Sequence, residues 1–152
     1  MTVPVTVNGR PVEVESPPES PLLWTLRDEL GWRGAKYGCG LEQCGACRVL
    51  IDGAPQPSCR IPVGDVAGRD VTTVELLVQL PTGRRVVDAL LARNAGQCGY
   101  CLPGIVVTLT AAVARGARMT GAEIRLALDP HLCRCGAHPR ILAAAEELLG
   151  GD

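Results

Sequence analysis

The chain opens on an alternation. Val3, Val5 and Val7 are apolar with Pro4 and Thr6 between them, and Val12 and Val14 repeat the pattern after Asn8-Gly9. Asn-Gly between two alternating runs predicts a tight hairpin, because a type I′ turn needs φ > 0 at both central positions. The period then lengthens. Leu22, Leu23, Leu26 and Leu30 fall on one side of a short helix, with Ser20 as N-cap, Pro21 at the first helical position and Gly31 as stop. A second hairpin is expected at Asp52-Gly53, between residues 48–51 and the run leading to Cys59, and a last strand around residues 70–74. This half reads as a small mixed sheet crossed by one helix.

From about Thr82 the apolar positions follow a helical period. Val86, Val87, Leu90 and Leu91 line one face, ended by residues 94–96. Pro103 opens a second helix carrying Ile105, Val106, Leu109 and Val113, stopped near Gly116. Thr120 and Glu123 form a capping box for a third with Ile124, Ala127 and Leu128. Pro139 opens a fourth, with Ile141, Leu142, Ala145, Leu148 and Leu149, closed by Gly150-Gly151. Four short helices predict a small bundle. The expected fold class is therefore α+β, with domains at residues 1–78 and 79–152. The boundary falls near 76–83, where Pro81 and Gly83 interrupt the pattern.

Composition narrows the function classes. At 152 residues, 47% hydrophobic and 20% charged, the chain can bury a core without disulfides. A net charge of −1 lacks the basic excess of a nucleic-acid footprint, and with no Phe, two Trp and two Tyr there are no platforms for stacking bases. No run approaches the ~18 apolar residues of a membrane span. The first fifteen residues alternate and lack the apolar stretch of a secretory signal. The expected location is cytoplasmic, with export in folded form on a partner's signal as the other route.

Eight cysteines then change the picture, because they fall into two groups of four. Cys39, Cys44, Cys47 and Cys59 are spaced C-x4-C-x2-C-x11-C, and Cys98, Cys101, Cys133 and Cys135 form C-x2-C and, after a gap, C-x-C. Without a secretion signal they read as metal ligands rather than disulfides. Four thiolates satisfy one [2Fe–2S] cluster, and C-x4-C-x2-C is the plant-type ferredoxin spacing. Gly38, Gly40 and Gly45 let the first loop aim backbone N–H groups at sulfur. The second group stands before Pro103 and Pro139, expected first residues of helices, whose N–H groups and dipoles favour thiolates. Four-thiolate zinc is the alternative at either group, more so at the second. A chain with two such clusters moves electrons one at a time between partners.

The runs Gly38–Cys47 with Val49–Gly53, Gln97-Cys98-Gly99-Tyr100-Cys101-Leu102-Pro103-Gly104, and Leu132-Cys133-Arg134-Cys135-Gly136 resemble the iron–sulfur subunit of the xanthine-oxidase family of molybdenum hydroxylases. The likeness runs over nearly the whole chain in the same order. It implies an N-terminal β-grasp, plant-type ferredoxin-like domain followed by a C-terminal four-helix domain, each with one [2Fe–2S] cluster. It also implies a large partner subunit holding a molybdopterin-type molybdenum cofactor, approached here by Gln97 and Cys135. Substrate oxidation would belong to that partner, and this chain would be the electron-transfer subunit of an oxidoreductase. Electrons would enter at Cys98, Cys101, Cys133 and Cys135. They would leave from Cys39, Cys44, Cys47 and Cys59 to an external acceptor, a cytochrome or similar, or to a flavin subunit.

Two stretches depart from the resemblance. Leu41-Glu42 stands where glycine is common, and Asp129-Pro130-His131 replaces a small Gly/Asn turn. Residues 136–141 resemble the two-subunit isoquinoline and nicotinate dehydrogenase branch, whose substrates suggest N-heterocycles, with aldehydes the nearest alternative. His131 and His138 flank Cys133 and Cys135, but four cysteines already complete a ligand set, so both are read as turn residues. Arg134 either offsets cluster charge or is an ordinary exposed arginine. Tyr100 is expected to shield the second cluster, and Trp24 and Trp32 to pack the short helix on the sheet. No catalytic triad or carboxylate pair stands out. A stand-alone ferredoxin-like carrier and a zinc-stabilised interaction module remain as competing functions.

Overall fold

Both predicted hairpins form in the computed structural model, which describes residues 1–151. Strands β1 (Val3–Val7) and β2 (Arg10–Val14) pair antiparallel around Asn8 (φ 51°) and Gly9 (φ 77°). Strands β3 (Arg48–Ile51) and β4 (Ala54–Pro57) pair the same way around Asp52 (φ 50°) and Gly53 (φ 82°). In each case two successive left-handed residues supply the type I′ twist. Strand β5 (Asp70–Thr72) lies between them, parallel to β1 and antiparallel to β3, giving the order β2-β1-β5-β3-β4. Pro55 and Pro57 are tolerated because β4 is an edge.

The helix across the sheet differs from the expectation in two respects. Helix α1 (Leu22–Trp24) has Pro21, not Ser20, at its N-cap and no side-chain cap; the Ser20 carbonyl is instead drawn into a bond from Val63 N–H at 2.8 Å. It then widens into a π turn, Thr25–Glu29. That turn carries the Glu29 carboxylate to the backbone N–H groups of Glu15 (2.6 Å) and Ser16 (3.1 Å), tying the helix end to the chain leaving β2. Leu22, Leu23 and Leu26 are buried with Val5, Val7, Val14, Val49, Ile51, Val63 and Val71 in the N-terminal core.

Strand β5 ends at Thr72, two residues before the expected limit. The Asn8 side chain takes Thr73 out of the ladder, accepting from its N–H at 2.8 Å and donating to its hydroxyl at 2.9 Å. A short helix α2 (Val74–Leu77), which the residue pattern does not signal, follows and leads into the bundle. The bundle comprises α3 (Pro81–Ala92), α4 (Leu102–Ala114), α5 (Gly121–Leu128) and α6 (His138–Leu149). Helices α4 and α6 start one residue earlier than expected, placing Pro103 and Pro139 second in their helices. Helix α3 ends in a Schellman motif, with Ala95 N–H bonded to Leu90 O at 2.9 Å and Asn94 at φ 47°. The expected capping box of α5 is present on Thr120 and Glu123.

The β-grasp sheet and the four-helix bundle are thus both as expected, and α4 joins them. Eight of its thirteen residues are buried. One side packs into the bundle core with Ile124, Leu128, Ile141 and Ala145. The other packs Val107 and Ala111 on Leu50 and Leu77. Consecutive residues of β3 point to opposite faces, so Val49 and Ile51 serve the N-terminal core while Leu50 meets α4. At the start of α4, a Cβ on Gly104 would lie 2.0 Å from the Gly45 carbonyl oxygen. Gly104→Ala is therefore expected to cost about 1–3 kcal/mol, the usual penalty of overpacking a rigid contact. A lowered urea midpoint would show it, and an unchanged midpoint would mean the contact is slack.

Candidate metal centre

The first four cysteines are gathered by a loop that curls on its own sulfurs. Cys39 Sγ accepts from Leu41 and Gln43 N–H, both at 3.2 Å, and Cys44 Sγ accepts from Cys39 N–H at 3.4 Å. The curl requires left-handed residues at Gly40 (φ 66°), Glu42 (φ 62°) and Gly45 (φ 77°). Glu42, at the position where the resemblance favours glycine, adopts the glycine-like backbone and aims its N–H at Cys59. Gly38 has no room for a side chain, since a Cβ there would lie 2.6 Å from Cys44 Sγ. Cys59 follows β4 and meets Cys47, whose carbonyl accepts from the Ser58 hydroxyl at 2.6 Å.

These environments split the thiols. Burial raises Cys39, but the N–H groups of Leu41, Gln43 and Cys44 outweigh it and bring the thiol down to about 7. Burial pushes Cys59 up to about 11 despite the Glu42 N–H. Backbone donors around sulfur are what an anionic thiolate set needs, and what tunes a cluster once bound.

The second four come from two loop–helix junctions. Cys101 is itself the N-cap of α4, and burial pushes its thiol up to about 12. Cys133 stands before α6; burial raises its thiol, but N–H groups of Ala137, Cys135 and Gly136 outweigh that and lower it. The Cys101 and Cys133 thiols stand side by side, and their interaction raises Cys101 and lowers Cys133. Cys98 is exposed and accepts from Tyr100 N–H at 3.5 Å. Gln97 donates to the Cys135 carbonyl at 3.3 Å, so the two residues assigned to the pterin by resemblance stand side by side.

All eight cysteines are free thiols. A cavity of about 140 Å³ is lined by Cys98, Cys101, Cys133 and Leu132, and also by Gly38, Cys44 and Ala46 from the first loop. Cys39 stands beside Cys44, Cys59 beside Cys47 and Cys101 beside Cys133, while Cys135 is not part of the cavity lining. Paired thiols with backbone N–H groups turned to sulfur suit a cluster held by thiolates. Such a cluster divides its ligands between two irons. Among the described residues no three Cys, His, Asp or Glu side chains converge as they would on a single ion.

The two groups are also stapled together. The Tyr100 hydroxyl donates to the Tyr37 carbonyl, and Leu132 N–H donates to the Cys44 carbonyl at 3.0 Å. Tyr100 is half-exposed at the mouth of the 140 Å³ cavity, and Arg134 is an exposed residue on its rim. Trp32 packs half-buried on the N-terminal core as expected, whereas Trp24 is 38% exposed and stacks on Tyr37 at 5.3 Å.

His131 is not a simple turn residue. It is 1% exposed, its ring sharing a 2.9 Å hydrogen bond with the Thr108 hydroxyl of α4 and its carbonyl meeting His138 Nε2 at 2.7 Å. Burial, with the nearby Arg48 and His138 charges, pushes it down to about 4, so the ring is neutral at pH 7. Thr108 was not legible as a site residue, because α4 carries two hydroxyls, Thr108 and Thr110, and nothing in the sequence tells which one meets His131. Gly104 and His131 stood in or beside the cysteine motifs without a role.

Comparison with known proteins follows the same division. Residues 5–73 match a 2Fe-2S iron-sulfur cluster binding domain, and residues 73–146 match a second [2Fe-2S] binding domain. The chain is 46% identical over 143 residues to one of the subunits of nicotinate dehydrogenase from Pseudomonas putida, covering 94% of this chain and 91% of that protein. It is 41% identical over 139 residues to one of the subunits of isoquinoline 1-oxidoreductase from Brevundimonas diminuta, covering 91% of each. The crystal structure of quinoline 2-oxidoreductase from Pseudomonas putida 86 superposes with a TM-score of 0.87 at 32% identity, over 95% of this chain and 90% of that one.

One consequence is selective. Gly38→Ala drives a methyl group into Cys44 Sγ and is expected to abolish the plant-type EPR signal while sparing the second. Equal loss of both signals, or of neither, would contradict this placement of Cys44.

Proposed function

Since this chain belongs to the iron–sulfur subunits of the xanthine-oxidase family of molybdenum hydroxylases, we propose that Cys39, Cys44, Cys47 and Cys59 hold one [2Fe–2S] cluster and Cys98, Cys101, Cys133 and Cys135 the other. The chain is the electron-transfer subunit of an oxidoreductase, passing electrons from a molybdenum cofactor on a larger partner to an acceptor. A [2Fe–2S] cluster supplies a centre that takes up and releases one electron.

The protein's part is to hold sulfur in fixed places and to set its electrostatics. Residues 1–78 present one thiolate set on a curled loop with N–H groups of Leu41, Gln43 and Cys39 turned to sulfur. Residues 79–152 present the other at the starts of α4 and α6. The observation that carries the reading is the 140 Å³ cavity, lined by three thiols of the second group and by Cys44 of the first. Two redox sites in contact make a relay. Gln97, exposed beside Cys135, faces the partner's pterin on this reading.

The relatives support a finer assignment. Nicotinate, isoquinoline and quinoline, named in those relatives, are all N-heterocyclic aromatics, which supports reading the partner's substrate as one of that class. We read the acceptor as an external carrier such as a cytochrome, with a flavin subunit as the other candidate, and the complex as cytoplasmic. Among the described residues no helix is long and apolar enough to cross a membrane. A stand-alone carrier is disfavoured, because the relatives of matching length are subunits. No feature of the site favours the zinc module.

The test is purification of the native complex with EPR after partial reduction. Two distinct [2Fe–2S] signals, with molybdenum in a co-purifying larger chain, are expected. In Cys135→Ser the helical-half signal should vanish and the plant-type signal persist, with about half the iron remaining. Both signals surviving intact would refute the ligand assignment. A monomer without a larger chain would refute the subunit reading.

A further inference from the structure

Several contacts converge where the two thiol groups meet. The carbonyl of Cys44 accepts from Leu132 N–H at 3.0 Å, and Leu132 is joined by one peptide bond to Cys133. The preceding residue, His131, is fixed on three sides. Its N–H donates to Leu128 O at 2.9 Å, its carbonyl meets His138 Nε2 at 2.7 Å, and its ring Nε2 meets the Thr108 hydroxyl at 2.9 Å. The opposite ring edge lies against Gly45, the residue after Cys44. A Cβ on Gly45 would fall 2.4 Å from His131 Nδ1 and 2.9 Å from the Pro130 carbonyl oxygen. Nδ1 itself is buried with no hydrogen-bond partner among the described residues.

Burying a polar nitrogen without a partner carries a cost. The ring is held there by Thr108, and the effect is to press the loop before Cys133 onto the loop after Cys44. We propose that the Leu132 N–H···O=C Cys44 hydrogen bond is the electronic contact between the two thiol groups, with His131 and Thr108 as the positioning residues that keep it closed.

The inference rests on the reading of this chain as a two-cluster relay and adds the route within it. From Cys133 the path runs along its own backbone to the Leu132 amide, across one 3.0 Å hydrogen bond to the Cys44 carbonyl, and down the Cys44 side chain to sulfur. The other staple, Tyr100 to Tyr37, must cross a phenol ring and the residues between Tyr37 and Cys39. It is the longer path. One electron passes per event; one centre is oxidised and the other reduced, no bond breaks and no proton moves.

The Thr108 pair isolates the positioning role. Thr108→Val keeps the shape of the side chain but removes the partner of His131, while Thr108→Ser retains a hydroxyl. In the purified complex, Thr108→Val is expected to keep full iron and both individual EPR signals. It should accelerate amide hydrogen exchange at Leu132, weaken the spin–spin splitting between the reduced centres, and slow reduction of the plant-type centre after the other is reduced. Thr108→Ser should restore all three. Leu132→Pro, which deletes the N–H outright, should show the larger loss of rate; if it does not assemble, the Thr108 pair decides alone. Faster exchange at Leu132 with wild-type splitting and rate would overturn the proposal, as would unchanged exchange in Thr108→Val. A wild-type complex with a single cluster would instead overturn the relay reading itself.

Discussion

The close approach of the Gly45 loop to the start of α4 is the constraint on which the rest of this structure depends. No side chain fits on either partner. A Cβ on Gly104 would stand 2.0 Å from the Gly45 carbonyl oxygen, and one on Gly45 would stand 2.4 Å from the His131 ring. Because Cys44 precedes Gly45 and Cys101 caps α4, this backbone contact brings the two thiol groups within reach of one another. The separation between them is set by packing of rigid segments, not by flexible side chains.

The contact is held by burial on both sides of α4. Val107 and Ala111 press on Leu50 and Leu77 from the sheet half, and Ile105 and Leu109 lie in the bundle core. A helix enclosed on both sides cannot slide without exposing apolar surface, and each buried side chain of this size contributes about 1.5–3 kcal/mol. The polar links ride on that platform. Tyr100 reaches Tyr37, Leu132 reaches Cys44, and Thr108 reaches His131 from the same helix that carries Cys101. Fold stability and the geometry of the centre therefore have one source.

Much of this was legible in the residues because the relevant signals are local. Asn8-Gly9 and Asp52-Gly53 fixed two hairpins through backbone angles, Thr120 and Glu123 fixed a cap, and the cysteine spacing marked both groups. The failures share a cause. Ser20 lost the N-cap because Val63, far along the chain, claims its carbonyl, and β5 stopped early because Asn8 captures Thr73. His131 read as a turn residue because its burial depends on α4 and on the absence of a side chain at Gly45. Helix α4 showed no clear polar face because it has none to show. Long-range partners of single polar atoms leave no periodic trace in a sequence.

The central claim is that one chain holds two iron–sulfur clusters in adjoining sites. Native mass spectrometry of the anaerobically purified protein tests it most directly. The expected mass is that of the 16.0 kDa chain plus the irons and sulfides of two [2Fe–2S] clusters. A mass corresponding to a single cluster, or to bound zinc without sulfide, would contradict it.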